Sequence, residues 1–436
     1  MRQWMVAAKK ADFYAIAEKF HVDPVVARII RNREVIGEKN IRIYLGGNLS
    51  DLSDPHQMKD MDRLVEILAQ KIRKQAHIRI IGDYDVDGVT SSHLFLTALR
   101  RVGAKVDVVI PHRIQDGYGL SLHLLQQAKE DGVDTILTCD NGIAAIDEIA
   151  WAKAQKMTVL VTDHHAVPFE EHEGRRTEKK SLADAVVNPH QQDCGYPYKE
   201  LCGAGVAWNV IRVLYENYDM DKREAEDLLD FVAMATVCDV MSLTGENRIL
   251  VKEGLKRIRH TKNIGLQALM QACNVQPENI SAYHFGYVLG PCVNATGRLD
   301  TARHALRLFE TGQETEAEEI ARDLVDLNQE RKELTLQGVE MAKKLCEEGG
   351  YENDPVLVLF LPDVHESIAG LIAGRIREMY NRPVFVLTRG EEGVKGSGRS
   401  TENYSMYENM CGCAELFTKF GGHPMAAGLS LSLIHI

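Results

Sequence analysis

Four segments of this 436-residue chain gather aspartate and histidine in a pattern suited to divalent cations. Asp83, Asp85 and Asp87 stand in GDYDVDG, Asp140 in CDNGI, Asp163, His164 and His165 in TDHH, and Asp239 in ATVCDV. The first three segments each follow a short apolar run, which puts their polar residues at the carboxyl ends of strands, where open α/β sheets bind ligands. Six carboxylates converging without compensation repel one another by on the order of several kcal/mol, so bound cations must bring them together. Oxygen donors with only one or two imidazoles suit a hard or borderline ion, Mn²⁺ or Mg²⁺, whereas structural zinc would normally include thiolates. Two such ions roughly 3.5 to 4 Å apart activate a water and steady the attacking and leaving oxygens of a phosphoryl displacement.

Other chemistries fit the same residues less well. D-x-D-x-D-G opens a calcium loop, but the Glu required at its twelfth position is here Leu94, and such loops are flanked by helices rather than preceded by a strand. A strand followed by D-x-D-G-V also suits an aspartyl-phosphate phosphatase, a reading that leaves Asp163-His164-His165 without a role. Paired histidines are commonly exposed or core residues. Following TVLVTDHH, beside two other acidic strand ends, they read as ligands.

The elements that must position these residues follow from hydrophobic patterning. IRII runs into GDYDVDG and then into a helix, SSHLFLTALRRVG. Four more apolar runs end in polar residues: VDVVIPH at 106–112, TILTCDNG at 135–142, TVLVTDHH at 158–165 and ADAVVNPH at 183–190. Helical patterns lie between most of them, among them Leu122-Leu124-Leu125-Ala128 and Ile146-Ile149-Ala150. This alternation predicts an α/β fold with a mostly parallel, doubly wound sheet. Residues 201–305 read as largely helical, with CGAGVAWNVIRVL and DLLDFVAMATVCDV as apolar-periodic segments expected to pack on the sheet. Residues 313–347 read as one long charged helix with Ile320, Leu324, Leu327, Leu334, Met341 and Leu345 on a single stripe. A second, smaller α/β pattern follows: VLVLFLPD, a helix around IAGLIAGRIREMY, the strand PVFVLTRG and the basic segment VKGSGRS.

Composition sets outer limits. With 45% apolar and 26% charged residues the chain is ordinary globular protein, and its length suits two or three domains. Lys and Arg number 51 against 63 Asp and Glu, a net charge of −12, which excludes a globally basic coat for nucleic acid. Residues 371–400 reverse that balance, with six Arg or Lys against three Glu. Nine cysteines in no regular spacing read as reduced, mostly core thiols, Cys411-Gly-Cys413 included. No apolar run reaches the roughly 18 to 20 residues of a membrane span, and MRQWMVAAKKADF lacks a signal-peptide core, so a cytoplasmic protein is expected.

The set GDYDVDG, CDNGI, TDHH and ATVCDV is similar to the four motifs of the DHH phosphoesterase superfamily. PHRIQDGYGL, NPH at 188–190, CGAGVAW, GPCVNATGRLD, GSGRS and GGHPMAAG narrow the resemblance to the RecJ family of single-strand-specific DNA exonucleases, from about residue 40 to the end. The resemblance implies an N-terminal helical segment over 1–40, a DHH catalytic domain with a helical insert over 41–310, a connecting helix over 311–350 and a smaller α/β DHHA1 domain over 351–436. It also implies that Asp85, Asp87, Asp140, His164 and Asp239 ligate a pair of Mn²⁺ or Mg²⁺ ions, with Asp83 in or beside the set and Asp140 and Asp239 bridging. Asp163 would orient its neighbouring His, and His165 would face the scissile phosphate. Some relatives carry a His four residues before the Asp85 equivalent; Ile81 stands there, and Asp83 is expected to substitute.

Arg113, Arg298, Ser397 and Arg399 are implied phosphate contacts, with the glycines at 393–398 letting backbone N–H groups approach an anion. His423, in the Gly-rich turn of GGHPMAAG, is expected in the interdomain cleft. The implied activity is 5′ to 3′ removal of nucleotides from single-stranded DNA in recombination and repair, with single-strand-binding protein and a RecQ-type helicase as partners and no membrane. Two alternatives stand beside it. Superfamily members acting on oligoribonucleotides, cyclic dinucleotides or pyrophosphate are generally shorter and lack the insert; nuclease-dead scaffolds lack the intact acidic set. Family members usually continue into an OB-fold domain, so a chain ending in LSLSLIHI is expected to be truncated.

Overall fold

Five strands of aliphatic and β-branched residues make the sheet from which the ligand-bearing segments emerge. They are β1 (Ile78–Ile81), β2 (Val106–Val109), β3 (Thr135–Cys139), β4 (Thr158–Thr162) and, after an antiparallel ribbon of β5 (Phe169–His172) and β6 (Arg175–Glu178), β7 (Ala185–Val187). In this computed structural model, which describes residues 9–114, 116–117, 119–172, 175–390 and 393–432, the strand order is β2-β1-β3-β4-β7, all parallel. The chain steps from β1 out to β2 and returns on the other side of β1 for β3, so a crevice opens beyond their carboxyl ends. Register keeps those ends level: Ile81 lies opposite Val109 and Thr138, Cys139 opposite Thr162, and Thr162 opposite Val187.

Strands β1 and β3 are buried along their whole length, which is why they read as continuous apolar runs rather than as alternation. One face of the sheet packs Ile81, Ile136, Val159 and Val161 against Leu124, Leu125, Ala128, Ile149 and Ala152 of the two helices Leu122–Glu130 and Ile146–Ala154. The helix Val86–Arg101 follows β1 and is buried nearly all round, Thr90, Ser91 and Ser92 included. The helices Gly203–Asn217 and Leu229–Cys238, also largely buried, are drawn from the stretch read as helical. Five of the nine cysteines are buried.

The chain divides into two compact units, residues 1–297 with 301–322, and residues 298–300 with 323–436. The helix Glu314–Gly349 runs through the division. Of the predicted stripe, Ile320 and Leu324 are buried and Leu334 and Leu345 pack against the second core, but Met341 is 42% exposed, and Val339, Ala342 and Cys346 are buried in its place. Ala317, Ala321 and Leu324 are buried near its start. A helix that serves two cores in succession has no reason to keep one face apolar throughout.

In the second unit the sheet order is β11-β12-β10-β9-β8, from β8 (Leu357–Phe360), β9 (Val384–Gly390), β10 (Gly393–Arg399), β11 (Lys419–His423) and β12 (Ala426–Leu431). Only β8 and β9 are parallel. The helix Glu366–Tyr380 covers one face through Ile368, Ile372 and Ile376, and Met406 and Met410 cover the other. The segment GSGRS forms the central strand, paired with β9 on one side and β12 on the other. The expectation that its backbone N–H groups approach an anion therefore fails, because the two ladders use them. Its glycines serve packing: a Cβ at Gly398 would lie 2.3 Å from Met406 Sδ.

Candidate metal centre

Asp83, Asp85 and Asp87 leave β1 on a turn that becomes the helix Val86–Arg101. Asp85 caps that helix, accepting from Gly88 N at 3.0 Å. Asp87 lies in the first turn, and both its oxygens are held by a second helix end: Gly203 N donates to Oδ2 at 2.6 Å and Ala204 N to Oδ1 at 2.8 Å. An anionic side chain at a helix N-terminus satisfies orphan donors and meets the positive end of the helix dipole. A Cβ at Gly203 would lie 2.6 Å from Asp140 Cβ and 2.7 Å from Asp140 Oδ1, so the helix can begin there only without a side chain.

Asp140 itself sits in the left-handed region at φ 61°, a conformation that Asp tolerates and that clusters at functional sites. Asn141 braces this turn, donating from Nδ2 to the carbonyls of Ile81 at 3.0 Å and Cys139 at 2.9 Å. From the end of β4, His164 Nε2 lies 3.0 Å from Asp140 Oδ1, 3.6 Å from Asp239 Oδ2 and 3.7 Å from Asp87 Oδ2. Asp239 arrives at the end of the helix Leu229–Cys238, its N–H donating to Ala235 O at 2.9 Å.

The ligand atoms form three overlapping groups, each within 4.8 Å: Asp83, Asp85 and Asp140; Asp87, His164 and Asp239; Asp140, His164 and His165. Asp83 thus joins Asp85 and Asp140, while Ile81 is fully buried in the sheet core.

Asp163 is a member of none of these groups. Its Oδ1 accepts from His164 N at 2.7 Å and His165 N at 3.1 Å, lies 2.7 Å from His165 Nδ1, and its Oδ2 accepts from Ile143 N at 2.9 Å. Those contacts hold its carboxyl below the usual range against the burial that would raise it. His165 is moved the opposite way: burial lowers it, but the Asp163 hydrogen bond and the nearby carboxylates raise it to about 9.

The rest of the cluster is electrostatically incomplete. Burial first, and then neighbouring carboxylates, push Asp83 and Asp140 well above the ordinary carboxyl range, raise Asp85, and carry Asp239 up to about 8. Burial lowers His164. Asp83 Oδ1 and His164 Nε2 are buried with no hydrogen bond. Buried polar atoms left this way have a ligand or ion as their natural partner, and an oxygen-rich donor set with one or two imidazoles fits Mn²⁺ or Mg²⁺.

Arg113 stands beside this cluster with its guanidinium 4.6 Å from the Tyr84 ring centroid, between Asp83 and Asp85 in sequence. The other expected phosphate contacts belong to the second unit. Arg298 Nη1 donates to Ser367 O at 2.6 Å. Ser397 Oγ and Arg399 Nη2 lie over Gly370 of the helix Glu366–Tyr380, where a Cβ would come within 2.7 and 2.8 Å of them. Arg298, Ser397 and Arg399 therefore border the first turns of one helix. His423 stands across β12 from Arg399, both opposite Ala426, in the exposed hairpin between β11 and β12. The Gly203–Ala204 cradle and the Asn141 brace were not foreseen. CGAGVAW carried a usable signal, a glycine-rich start to an apolar-periodic helix.

Comparison with known proteins places these features in context. The model of the DHH family, N-terminal domain, matches residues 77–236, and that of the DHHA1 domain matches residues 353–435. The single-stranded-DNA-specific exonuclease RecJ of Haemophilus influenzae is 36% identical over 430 residues, 94% of this chain and 72% of that protein. The protein of the same name from Bacillus subtilis is 34% identical, over 96% of this chain and 51% of its own length. Crystal structures of RecJ from Thermus thermophilus superpose with TM-scores of 0.80 for the Mn²⁺ complex and 0.74 for the Mg²⁺ complex, at 29% and 28% identity. They cover 96% of this chain, and 58% and 56% of theirs.

Proposed function

Because the chain belongs to the RecJ family of single-stranded-DNA-specific exonucleases, we propose that it hydrolyses single-stranded DNA 5′ to 3′ to nucleotides, in recombination and repair. The carrying observation is the buried set of ligands at the sheet's carboxyl edge, with Asp83 Oδ1 and His164 Nε2 lacking hydrogen bonds. Asp83, Asp85, Asp87, Asp140, His164 and Asp239 would hold two divalent ions, Mn²⁺ or Mg²⁺, which when bound supply an activated water and neutralise charge on the phosphate.

The chain's own residues supply the rest. Asp163 accepts from His165 Nδ1, which fixes the ring and leaves Nε2 to donate to a phosphate oxygen as charge develops there. Asp140 is thereby a member of the ligand set, while Asp163 and His165 are the residues that steer charge. Gly203 and Ala204 hold Asp87 so that the carboxylate need not reorganise. Arg113, stacked on Tyr84, presents planar donors to the backbone of the strand, and the Arg298 and Arg399 guanidinium groups and the Ser397 hydroxyl are the phosphate donors of the second unit.

We assign catalysis to residues 41–310 and strand holding to 351–436, joined by 311–350. Family membership supports single-strand-binding protein and a RecQ-type helicase as partners, and the cytoplasm as the place of action. Among the described residues no helix is long and apolar enough to cross a membrane. The test is degradation of 5′-labelled single-stranded DNA, duplex DNA and RNA with and without Mn²⁺. Metal-dependent release of nucleotides from the single strand alone is expected; equal digestion of RNA, or cleavage persisting in excess chelator, overturns the reading.

A further inference from the structure

A cavity of about 820 Å³, the size of a small-molecule site, lies wholly within the first unit. Three buried rings, His93, Phe231 and Phe309, form its floor. The phenyl rings meet edge to face with centroids 5.0 Å apart, and the imidazole lies 4.4 Å from Phe231 and 5.8 Å from Phe309. At its mouth stand Arg100, Lys256, His260 and Lys262, all exposed.

The floor holds polar atoms that the protein itself leaves unused. His93 is 5% exposed, its Nδ1 has no hydrogen bond, and burial lowers it to about 3, so the ring is neutral near pH 7. Glu310 Oε1 is also buried without a hydrogen bond. The carboxylates of the rim, by contrast, are matched: Glu253 lies 2.6 Å from Lys256, and Asp227 lies 3.5 Å from Arg257. Asp230 accepts from Thr261 Oγ1 and Phe231 N. The side chains of His260 and Lys262 make no ion pair among the described residues, and they leave the mouth with cationic capacity to spare. Orphaned buried atoms beside aromatic rings call for a flat ring with its own donors and acceptors, and spare cations call for an anionic tail. A nucleotide joins the two.

Two helices link this cavity to the metal centre. Val86–Arg101 carries Asp87 in its first turn and sets His93, Thr97 and Arg100 in the cavity wall, spaced to share one face. Leu229–Cys238 begins at the cavity with Asp230 and Phe231 and ends on Asp239. At a rise of about 1.5 Å per residue, Thr97 lies about 15 Å along the first helix from Asp87, and Asp230 about 14 Å along the second from Asp239.

We infer that this cavity is a nucleotide site separate from the metal centre, with the base over the aromatic floor and the phosphate at the mouth, and that its occupant acts on turnover through the two helices. The binding site stands without the exonuclease reading; its action on turnover rests on that reading.

The test is equilibrium dialysis of radiolabelled dAMP against the Mn²⁺-loaded chain as wild type, as Thr97→Trp, whose indole would fill the cavity, and as Lys262→Glu. Both positions are exposed, so thermal melts should stay unchanged, and each variant checks the other. Thr97→Trp should bind one nucleotide fewer per chain than the wild type, and Lys262→Glu should weaken that site about tenfold. Deoxyadenosine, which lacks the phosphate, and deoxyribose 5-phosphate, which lacks the base, should each bind there about tenfold more weakly than dAMP. With 5′-labelled single strands, dAMP should change the wild-type kcat by about fivefold at unaltered KM, an effect absent from Thr97→Trp. Equal stoichiometry and affinity in all three proteins, or purely competitive inhibition that survives Thr97→Trp, overturns the inference and leaves the exonuclease reading in place. If the wild type digests no single strand, that reading fails, and the dialysis alone decides the site.

Discussion

The sharpest prediction from the metal centre concerns a residue with no side chain. In Gly203→Ala the new methyl would lie 2.6 Å from Asp140 Cβ and 2.7 Å from Asp140 Oδ1. Ordinary carbon contacts begin near about 3.5 Å, so one partner must move by nearly an ångström. The helix cannot easily yield, because Gly203 N and Ala204 N hold Asp87 at 2.6 and 2.8 Å. Asp140 must therefore shift, and its carboxylate belongs to two of the ligand groups. Overpacking of this kind costs about 1 to 3 kcal/mol of stability, while displacing a catalytic group by about 1 Å costs roughly 100-fold in rate. The assay is single-strand digestion at saturating Mn²⁺ with a thermal melt in parallel. Gly205→Ala, in the same helix, provides the comparison: its methyl meets only the Leu201 side chain, at 3.4 Å, and should leave turnover near wild type. Turnover of Gly203→Ala within threefold of wild type, or an equal loss of activity in both variants, would refute this role of Gly203.

The remaining predictions rest on single contacts. His164→Ala and Asp140→Ala should each abolish cleavage while the far-ultraviolet spectrum stays native; retention of more than about a tenth of wild-type turnover would remove that residue from the ligand set. Arg399→Ala should raise KM and flatten the salt dependence of strand binding, with a smaller change in kcat, and an unchanged salt slope would place Arg399 outside the substrate path. Away from the site, burial raises Asp230 to about 6, although Thr261 Oγ1 and Phe231 N donate to it. The folded state therefore holds that proton more tightly than the unfolded chain, and the group's contribution to stability, fully present below about pH 4, is lost as pH rises through 6. A rise from 3.8 to about 6 corresponds to about 3 kcal/mol. Asp230→Asn should flatten the denaturation profile between about pH 4 and 6, and an unaltered profile would contradict the assignment.

Some of this architecture was plain in the sequence because two signals agreed. Strands such as IRII and TILTC are buried on both faces and so carry no period of two, yet each runs into acidic residues, and that adjacency marks the carboxyl edge of a parallel sheet. The ligand groups were legible for the same reason, since each contributing segment ends a strand or a helix. What stayed hidden depends on contacts distant in sequence. Nothing local in CGAGVAW says that its first N–H groups will hold Asp87, 116 residues earlier. GSGRS looked like an anion-binding loop because glycine is common in such loops, but its neighbours made it a central strand packed under Met406. Met341 misled because a stripe drawn for one continuous core does not describe a helix that serves two.

The spread of the ligands along the chain also orders events at the ribosome. Asp83 is synthesised about 150 residues before Asp239, a delay on the order of 10 to 30 seconds at typical translation speeds. Once β3 has been made and until Gly203 follows, about 120 residues after Asp83, β1 and β3 can pair while no helix end is present to receive Asp87, and the sheet's edge carries carboxylates without an N–H cradle. A nascent chain in this state has reason to postpone closing its crevice until the insert arrives. Metal would then be chosen by a finished geometry, not by whichever ion first meets a loose cluster of acids.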